Sequence, residues 1–206
     1  MTSPLDVLLI ESHPGAGADD ADRLEAAGHR VHRCYPAEDR GDKYLCTGVM
    51  TGSCPLDDAI DVALLVRQRL ATRPAASEGG VSCALRTGIP VVEDGPEIFD
   101  PFDPWLAGRV TGDVAVACEA AASRALEPLR RGVAARIGRL LAAAGVDPDA
   151  VSCTFERHWP RLHVVLTGPP VTPGLEQSLA VRVLDAVRAA DRTYGQVDVS
   201  YKGSVA

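Results

Sequence analysis

The stretch "DVLLIESHPGAGADDADRLEAAGHRVHRCYP", residues 6–36, decides how the rest of this chain is read. Residues 7–10 are continuously apolar and close on Glu11, the composition of a strand buried on both faces. "SHPGAG" (12–17) supplies turn residues. "ADDADRLEAAGH" (18–29) is a short helix, with Leu24 and Ala27 as its apolar positions and Gly28 as a C-cap. "RVHRCYP" (30–36) is a second strand that ends at Pro36. A strand, a helix and a second strand in about thirty residues make a βαβ unit, and such a unit pairs its strands in parallel.

The same alternation continues outward. After a loop at 37–56, "AIDVALLVR" (59–67) is a third buried strand. An irregular connection (68–80) leads to two helical turns in "VSCALRTG" (81–88) and a fourth strand in "IPVVEDG" (89–95). The expected class is α/β: a doubly wound parallel sheet of about four strands over residues 1–95, flavodoxin-like in order. "PEIFDPFDPWLAG" (96–108) holds three prolines and three of the nine aromatic side chains. Residues 96–110 are read as a linker whose Phe99, Phe102 and Trp105 pack between two domains.

Residues 111–206 have a different character. An Ala-rich helix is expected over 113–127, with Pro128 ending or kinking it because proline lacks the N–H and clashes with the preceding turn. A second helix, 129–144, carries Leu129, Val133, Ile137 and Leu140/Leu141 on one face. "AVSCTFERHW" alternates, with Val151, Cys153 and Phe155 on one side, and pairs with "RLHVVLTG" (161–168) as an antiparallel hairpin. Thr172 and Pro173 open a further helix, and "QVDVSYK" (196–202) is a last strand. This αββαβ order predicts a small α+β domain with a three-stranded sheet, suited to oligomerisation or docking of a protein partner.

The element order over residues 5–95 resembles the receiver domain of response regulators. The resemblance implies an acidic pair after the first strand, an Asp ending the third, a Thr or Ser ending the fourth and a Lys ending the fifth. Here the first strand closes on Glu11-Ser12-His13, the third on Val66-Arg67 and the fourth on Val92-Glu93-Asp94. The phosphoacceptor Asp is missing, and the expectation is a degenerate, non-phosphorylating pseudo-receiver. "PGAGA" has two of the three glycines of a dinucleotide fingerprint, and the second strand ends in Cys34 rather than in an acidic residue. These are read as turn glycines.

Six cysteines set the functional question. Cys34 closes the second strand, Cys46 and Cys54 lie in the Gly-rich loop "CTGVMTGSC", and Cys83 starts the helix before the fourth strand. In a parallel sheet these positions converge on the carboxyl edge, where such folds bind ligands. The four are therefore the candidate metal ligands. The close C-x₂₋₄-C pairs of zinc sites are missing, and a Gly-rich, apolar loop suits the sulfides of an iron–sulfur cluster, so the cluster is preferred slightly over zinc. A reversible Cys46–Cys54 disulfide acting as a redox switch and a metal-free interaction scaffold remain open alternatives. His13 and His32 are possible substitute ligands. Cys118 and Cys153 are read as small core hydrophobes.

The net charge of −7 argues against general affinity for nucleic acid or anionic lipid. The arginines Arg124, Arg130, Arg131, Arg136 and Arg139 are read as a solvated helix face. No apolar run approaches the ~20 residues of a membrane helix, and the N-terminus has no basic n-region, so a cytoplasmic bacterial protein is expected. Glu156, His158 and His163 group three acid–base side chains, and Glu11, His13 and Glu93 line the sheet edge. With no nucleophile elbow, Ser–His–Asp order or paired-carboxylate signature, the chain is read as a regulatory or sensor protein rather than an enzyme.

Overall fold

Strands that are apolar at every position need cover on both faces, and the chain supplies it by alternating strand with helix. In the computed structural model, which describes residues 4–36, 45–68, 73–96, 100–158, 160–192 and 194–204, β1 (Asp6–Glu11) and β3 (Val62–Val66) are buried throughout. β2 (Arg30–Arg33), β4 (Val91–Asp94) and the two-residue β5 (Gly108–Arg109) complete a five-stranded sheet in the order β2-β1-β3-β4-β5. Every pairing in it is parallel. The order 2-1-3-4-5 is the flavodoxin-type order.

Side chains alternate between the two faces along each strand. Val7, Leu9, Val62, Leu64 and Val66 pack with Leu24 of α1 (Ala18–Ala26) and with Val114, Cys118 and Ala121 of the long helix α4 (Val114–Ala143). Leu8, Ile10, Ala63 and Leu65 pack with Leu56, Ile60 and Phe102, and with Val81 and Ala84 of α3 (Gly80–Arg86). Between β2 and β3 lies α2 (Thr47–Thr51), a helix of little more than one turn.

The expectation of about four strands is corrected to five. Gly108–Arg109 is held by Ala107 N–H donating to Val91 O (2.7 Å) and Val110 N–H to Glu93 O (2.8 Å). Two residues carry no periodicity, so nothing in the sequence marks them as a strand. Of the aromatic residues placed in the linker, Phe102 is buried in the core under the sheet, Trp105 is exposed, and Phe99 lies outside the described residues.

The helices expected on either side of Pro128 are a single element, α4, with Pro128 inside it. The chain divides into two compact units, Met1–Ala125 and Leu126–Ala206, and the division falls within this helix. Proline forfeits one backbone hydrogen bond at a cost of about 3 kcal/mol. Burial of Val114, Cys118, Ala121 and Ala122 in one core and of Leu129, Val133, Ile137 and Leu141 in another offsets that cost.

In the second unit, β6 (Ser152–His158), β7 (Arg161–Gly168) and β8 (Gln196–Gly203) form a mixed sheet in that order. β6 and β7 are antiparallel, and β7 and β8 are parallel. α5 (Pro173–Ala190) connects β7 to β8, with Thr172 Oγ1 accepting from Leu175 N–H at its start. Phe155, Leu162, Val164 and Leu166 face Leu179, Val183 and Val187 of that helix. No helix among the described residues is long and apolar enough to cross a membrane.

Candidate functional site: the carboxyl edge of the parallel sheet

Cys34 follows directly on β2, its N–H donating to Leu9 O (3.0 Å). The loop returns to the same point. Thr47 donates its N–H to Cys34 O (2.9 Å) and its hydroxyl to Arg33 O (3.1 Å), which brings Cys46 beside the end of β2. α2 stops at Gly52, whose φ of 75° is a left-handed C-cap that glycine adopts without strain. The chain then doubles back so closely that a Cβ on Gly48 would stand 3.1 Å from the Cβ of Cys54. Cys54 in turn accepts from Asp57 N–H through its carbonyl (2.9 Å) and donates its own N–H to Asp57 Oδ2 (3.2 Å).

Cys83 enters from the other side, on α3. The first residue of that helix lies against Cys34: a Cβ on Gly80 would meet Cys34 Sγ at 2.7 Å. Arg86 Nη2 stands 3.4 Å from Cys83 Sγ as a donor. Cys34 is buried and the other three are half-buried, and all four pack on one apolar cluster with Tyr35 beside them.

Burial, then the charges of Cys46, Cys54 and Cys83, push the Cys34 thiol up to about 12. Burial raises Cys54 as well, against the bond from Leu56 N–H and with Asp57, Cys46 and Cys83 adding to the rise. Tyr35, raised by burial and then by Cys34, Cys46 and Cys83, donates its hydroxyl to Ala76 O (3.0 Å). The four cysteines, from three separate segments, thus pack on one apolar cluster. Among the described residues, no three His, Cys, Asp or Glu side chains are already arranged to hold a metal ion.

The two histidines considered as substitute ligands are otherwise engaged. His32 Nε2 lies 2.8 Å from Asp6 Oδ1, and His13 Nδ1 lies 3.2 Å from Ser12 Oγ. Cys118 is fully buried, its thiol pushed up to about 12 by burial and then by Asp20 and Glu119. Cys153, half-buried against the second unit's core, is pushed up to about 11 by burial, with Arg130 opposing.

The other half of the edge is closed by ions. Where a receiver carries its Asp, the chain after β3 has Arg67, which is 2 % exposed. Its Nε donates to Glu78 Oε1 (2.8 Å) and its Nη1 to Asp100 Oδ1 (3.2 Å), with Glu93 Oε1 at 3.6 Å. Where a receiver ends its fifth strand in Lys, β5 ends in Arg109, bound to Glu93 Oε2 (2.7 Å), Asp100 Oδ2 (2.5 Å) and Asp103 Oδ1 (2.9 Å). Glu11, the remaining carboxylate of the expected acidic pair, accepts from Gly17 N–H (2.8 Å) and Arg33 Nη1 (2.9 Å). Both of its oxygens are committed to holding the fold. The sequence marks Arg67 only as a basic residue closing an apolar run. Its partners Glu78, Asp100 and Arg109 are far from it in the chain, and only the fold brings them together.

Burial and the neighbouring Asp100 favour a proton on Glu93 within this network. Burial, then Asp100, push Glu93 up to about 7 from an ordinary 4.5, against Arg109 and Arg67. Burial works against Asp100 too, but bonds from Glu93, the Phe102 N–H and Arg109 outweigh it and hold Asp100 below 3.8. Between 4.5 and about 7 the folded protein keeps a proton on Glu93 that the unfolded chain would release, so this contribution is complete below 4.5 and is lost as pH rises through about 7. The contribution of Asp100 runs the other way and is lost as pH falls below 3.8. Glu93→Gln keeps a donor towards Asp100 without a proton to lose. Its melting temperature is expected to exceed that of the parent at about pH 8 and to lose that advantage towards about pH 5. Parallel melting-temperature curves for the two proteins would show that Glu93 does not carry the proton.

No protein-family model matches the chain, and no curated protein is significantly similar to it.

Proposed function

We propose that the first unit is a metal-binding regulatory domain: a receiver-like domain without phosphoacceptor chemistry, which holds an iron–sulfur cluster through Cys34, Cys46, Cys54 and Cys83. The observation that carries this reading is the gathering of four thiols at the carboxyl edge of a parallel sheet, the edge where such folds place ligands. The donor set suits the group. Thiolates are soft ligands that select zinc and iron–sulfur centres, Gly48 and Gly80 let the backbone approach Cys54 and Cys34 more closely than a residue with a Cβ could, and Leu56 and Tyr35 supply an apolar surround. A bound cluster supplies one-electron chemistry and sensitivity to oxidants.

The chain's own residues do the rest. Each thiol must give up its proton on binding, so affinity rises with pH, most steeply through Cys34. Gly52 and the Asp57 turn set the path that carries Cys54 back to Gly48 of α2. Ala76–Gly79 is a 3-10 turn that takes the Tyr35 hydroxyl on one side and, through Glu78, binds Arg67 on the other. A change of state at the thiols therefore reaches the buried ion network and the segment it clamps. The second unit serves as the assembly element, for a protein partner or a second copy. The setting this chemistry fits is the bacterial cytoplasm.

Anaerobic purification followed by a visible absorption spectrum and iron, sulfide and zinc analysis tests the reading. The expected result is a brown protein with near-stoichiometric iron and acid-labile sulfide, lost in Cys46→Ser and Cys54→Ser. A colourless protein that carries one zinc and loses it in the same variants favours zinc on the same ligands. A metal-free protein whose thiols are alkylated equally before and after addition of iron, sulfide or zinc overturns both. A second reading, a Cys46–Cys54 redox pair, draws on the close return of Cys54 to α2. It predicts a disulfide-linked peptide pair in the metal-free protein after mild oxidation.

A further inference from the structure

The ion network at the end of β4 holds more carboxyls than cations. The side chains of Glu78, Glu93 and Asp100 are buried beside two guanidiniums, Arg67 and Arg109, while Asp103, a further carboxylate on Arg109, is exposed. With every group ionised, the buried set among the described residues carries one negative charge in excess. Glu93 Oε2 accepts from Arg109 Nη1 (2.7 Å), but Glu93 Oε1 is buried without a hydrogen bond, with Arg67 Nη1 at 3.6 Å. An uncompensated charge in a dry site is costly, and the group takes up a proton instead. A proton on Glu93 removes the excess and gives Asp100 a donor.

The groups around Glu93 hold down one segment. Asp100 Oδ1 accepts from Arg67 Nη1 (3.2 Å) and from Phe102 N–H (2.8 Å), and its Oδ2 accepts from Arg109 Nη2 (2.5 Å). Arg109 is the register partner of Glu93, in a strand of two residues with a single neighbouring strand. The main-chain anchors on either side of that strand are Ala107 N–H to Val91 O and Val110 N–H to Glu93 O. Phe102 is the segment's buried apolar anchor. An edge strand this short has few backbone bonds to lose, so the side-chain network supplies much of what keeps residues 100–109 in place. The charged groups that face Glu93 are Arg67 at the end of β3, Glu78 from the turn before α3, Asp100 and Asp103 from the segment, and Arg109 from β5.

We propose that residues 100–109 form a proton-gated latch on the carboxyl edge: protonated Glu93 keeps the segment clasped through Asp100 and Arg109, and loss of that proton favours a local opening that bares the edge of β4 and the Phe102 ring. In the closed form Glu93 donates to Asp100, and Asp100 bridges Arg67 and Arg109. Once ionised, Glu93 and Asp100 are adjacent buried anions, and opening relieves their repulsion by returning Glu93 to water. Burial and then Asp100 raise Glu93 from 4.5 to about 7, so opening releases a proton between those values. The closed form's advantage is complete below 4.5 and is lost as pH rises through about 7. The latch rests on the ion network alone and needs no metal at the thiols.

Amide hydrogen exchange at Ala107 and Val110, read by NMR on the full chain, tests this. Protection at both amides, corrected for the intrinsic pH dependence of exchange, is expected to fall about tenfold per pH unit from about pH 5 to about pH 7 and to level off above that. It is also expected to lie below the protection of the β1 and β3 amides and to be insensitive to urea that lowers theirs, as a local opening requires. In Glu93→Gln, which keeps a donor towards Asp100 with no proton to lose, both amides stay protected over the same range. The parent protein alone separates local from global opening, so the test stands even where the variant fails to fold. Three results overturn the latch: protection at Ala107 and Val110 that does not change with pH, protection equal to that of β1 and β3, or a Glu93→Gln profile that follows the parent's.

Discussion

Arg67→Met is expected to lower the melting temperature of the first unit by about 10 °C, from a cost of about 3–5 kcal/mol at roughly 2–4 °C per kcal/mol. The side chain is 1 % exposed and stands between Glu78, Glu93 and Asp100, all of which are buried. Its guanidinium also lies 5.8 Å from the Phe102 ring centroid, so its loss affects the packing of that ring as well. Without it, three buried carboxyls are left with Arg109 as the cation on the other side of the network. The penalty comes from the partners that remain. A double variant, Arg67→Met with Glu78→Met, should therefore recover part of the loss, since removing both members of a buried pair costs less than removing one. Differential scanning calorimetry of the parent, the two single variants and the double variant measures this. A shift below about 2 °C for Arg67→Met would show that the network is solvated in solution and contributes little.

The second large effect is chemical. Cys34 and Cys118 each sit at about 12 against an ordinary 9.0, so at neutral pH their thiolate fraction is about 10³-fold below that of a free thiol. In metal-free protein, iodoacetamide is expected to reach the half-buried Cys46 and Cys83 first and to leave Cys34 and Cys118 unmodified until the chain unfolds. A bound metal reverses the logic for the first-unit group, because a coordinated thiol is deprotonated yet shielded. Loading should protect Cys34, Cys46, Cys54 and Cys83 together and leave the reactivity of Cys153 unchanged. Peptide mapping after timed alkylation reads all six sites in one experiment. Cys34 reacting as fast as Cys46 in metal-free protein would place its sulfur in water rather than against Gly80.

The strands and helices of the first unit were largely legible because burial on both faces leaves an unambiguous apolar run. β1 coincides with the expected residues 6–11, and β3 falls within 59–67. The αββαβ order of the second unit was legible for a related reason. Strict alternation in 151–156 and the Thr172-Pro173 start are local signals that packing reinforces. The candidate site was legible only in outline. Cys34, Cys46, Cys54 and Cys83 could be placed on one edge from topology, but Gly80 pressed against the Cys34 sulfur and Tyr35 reaching Ala76 could not. Those contacts join residues tens of positions apart, and no local pattern records such a distance.

The order of elements and the two-faced burial of the central strands follow from the sequence by itself, because side-chain period and strand order are set by neighbours in the chain. Only the tertiary structure decided that Gly108–Arg109 joins the sheet, that a helix runs on through Pro128, that Arg67 and Arg109 neutralise buried carboxylates, and that Ser200 meets His163. Each of these depends on strand register or on packing between distant segments. There the free energy of burial outweighs the local preference of any single residue.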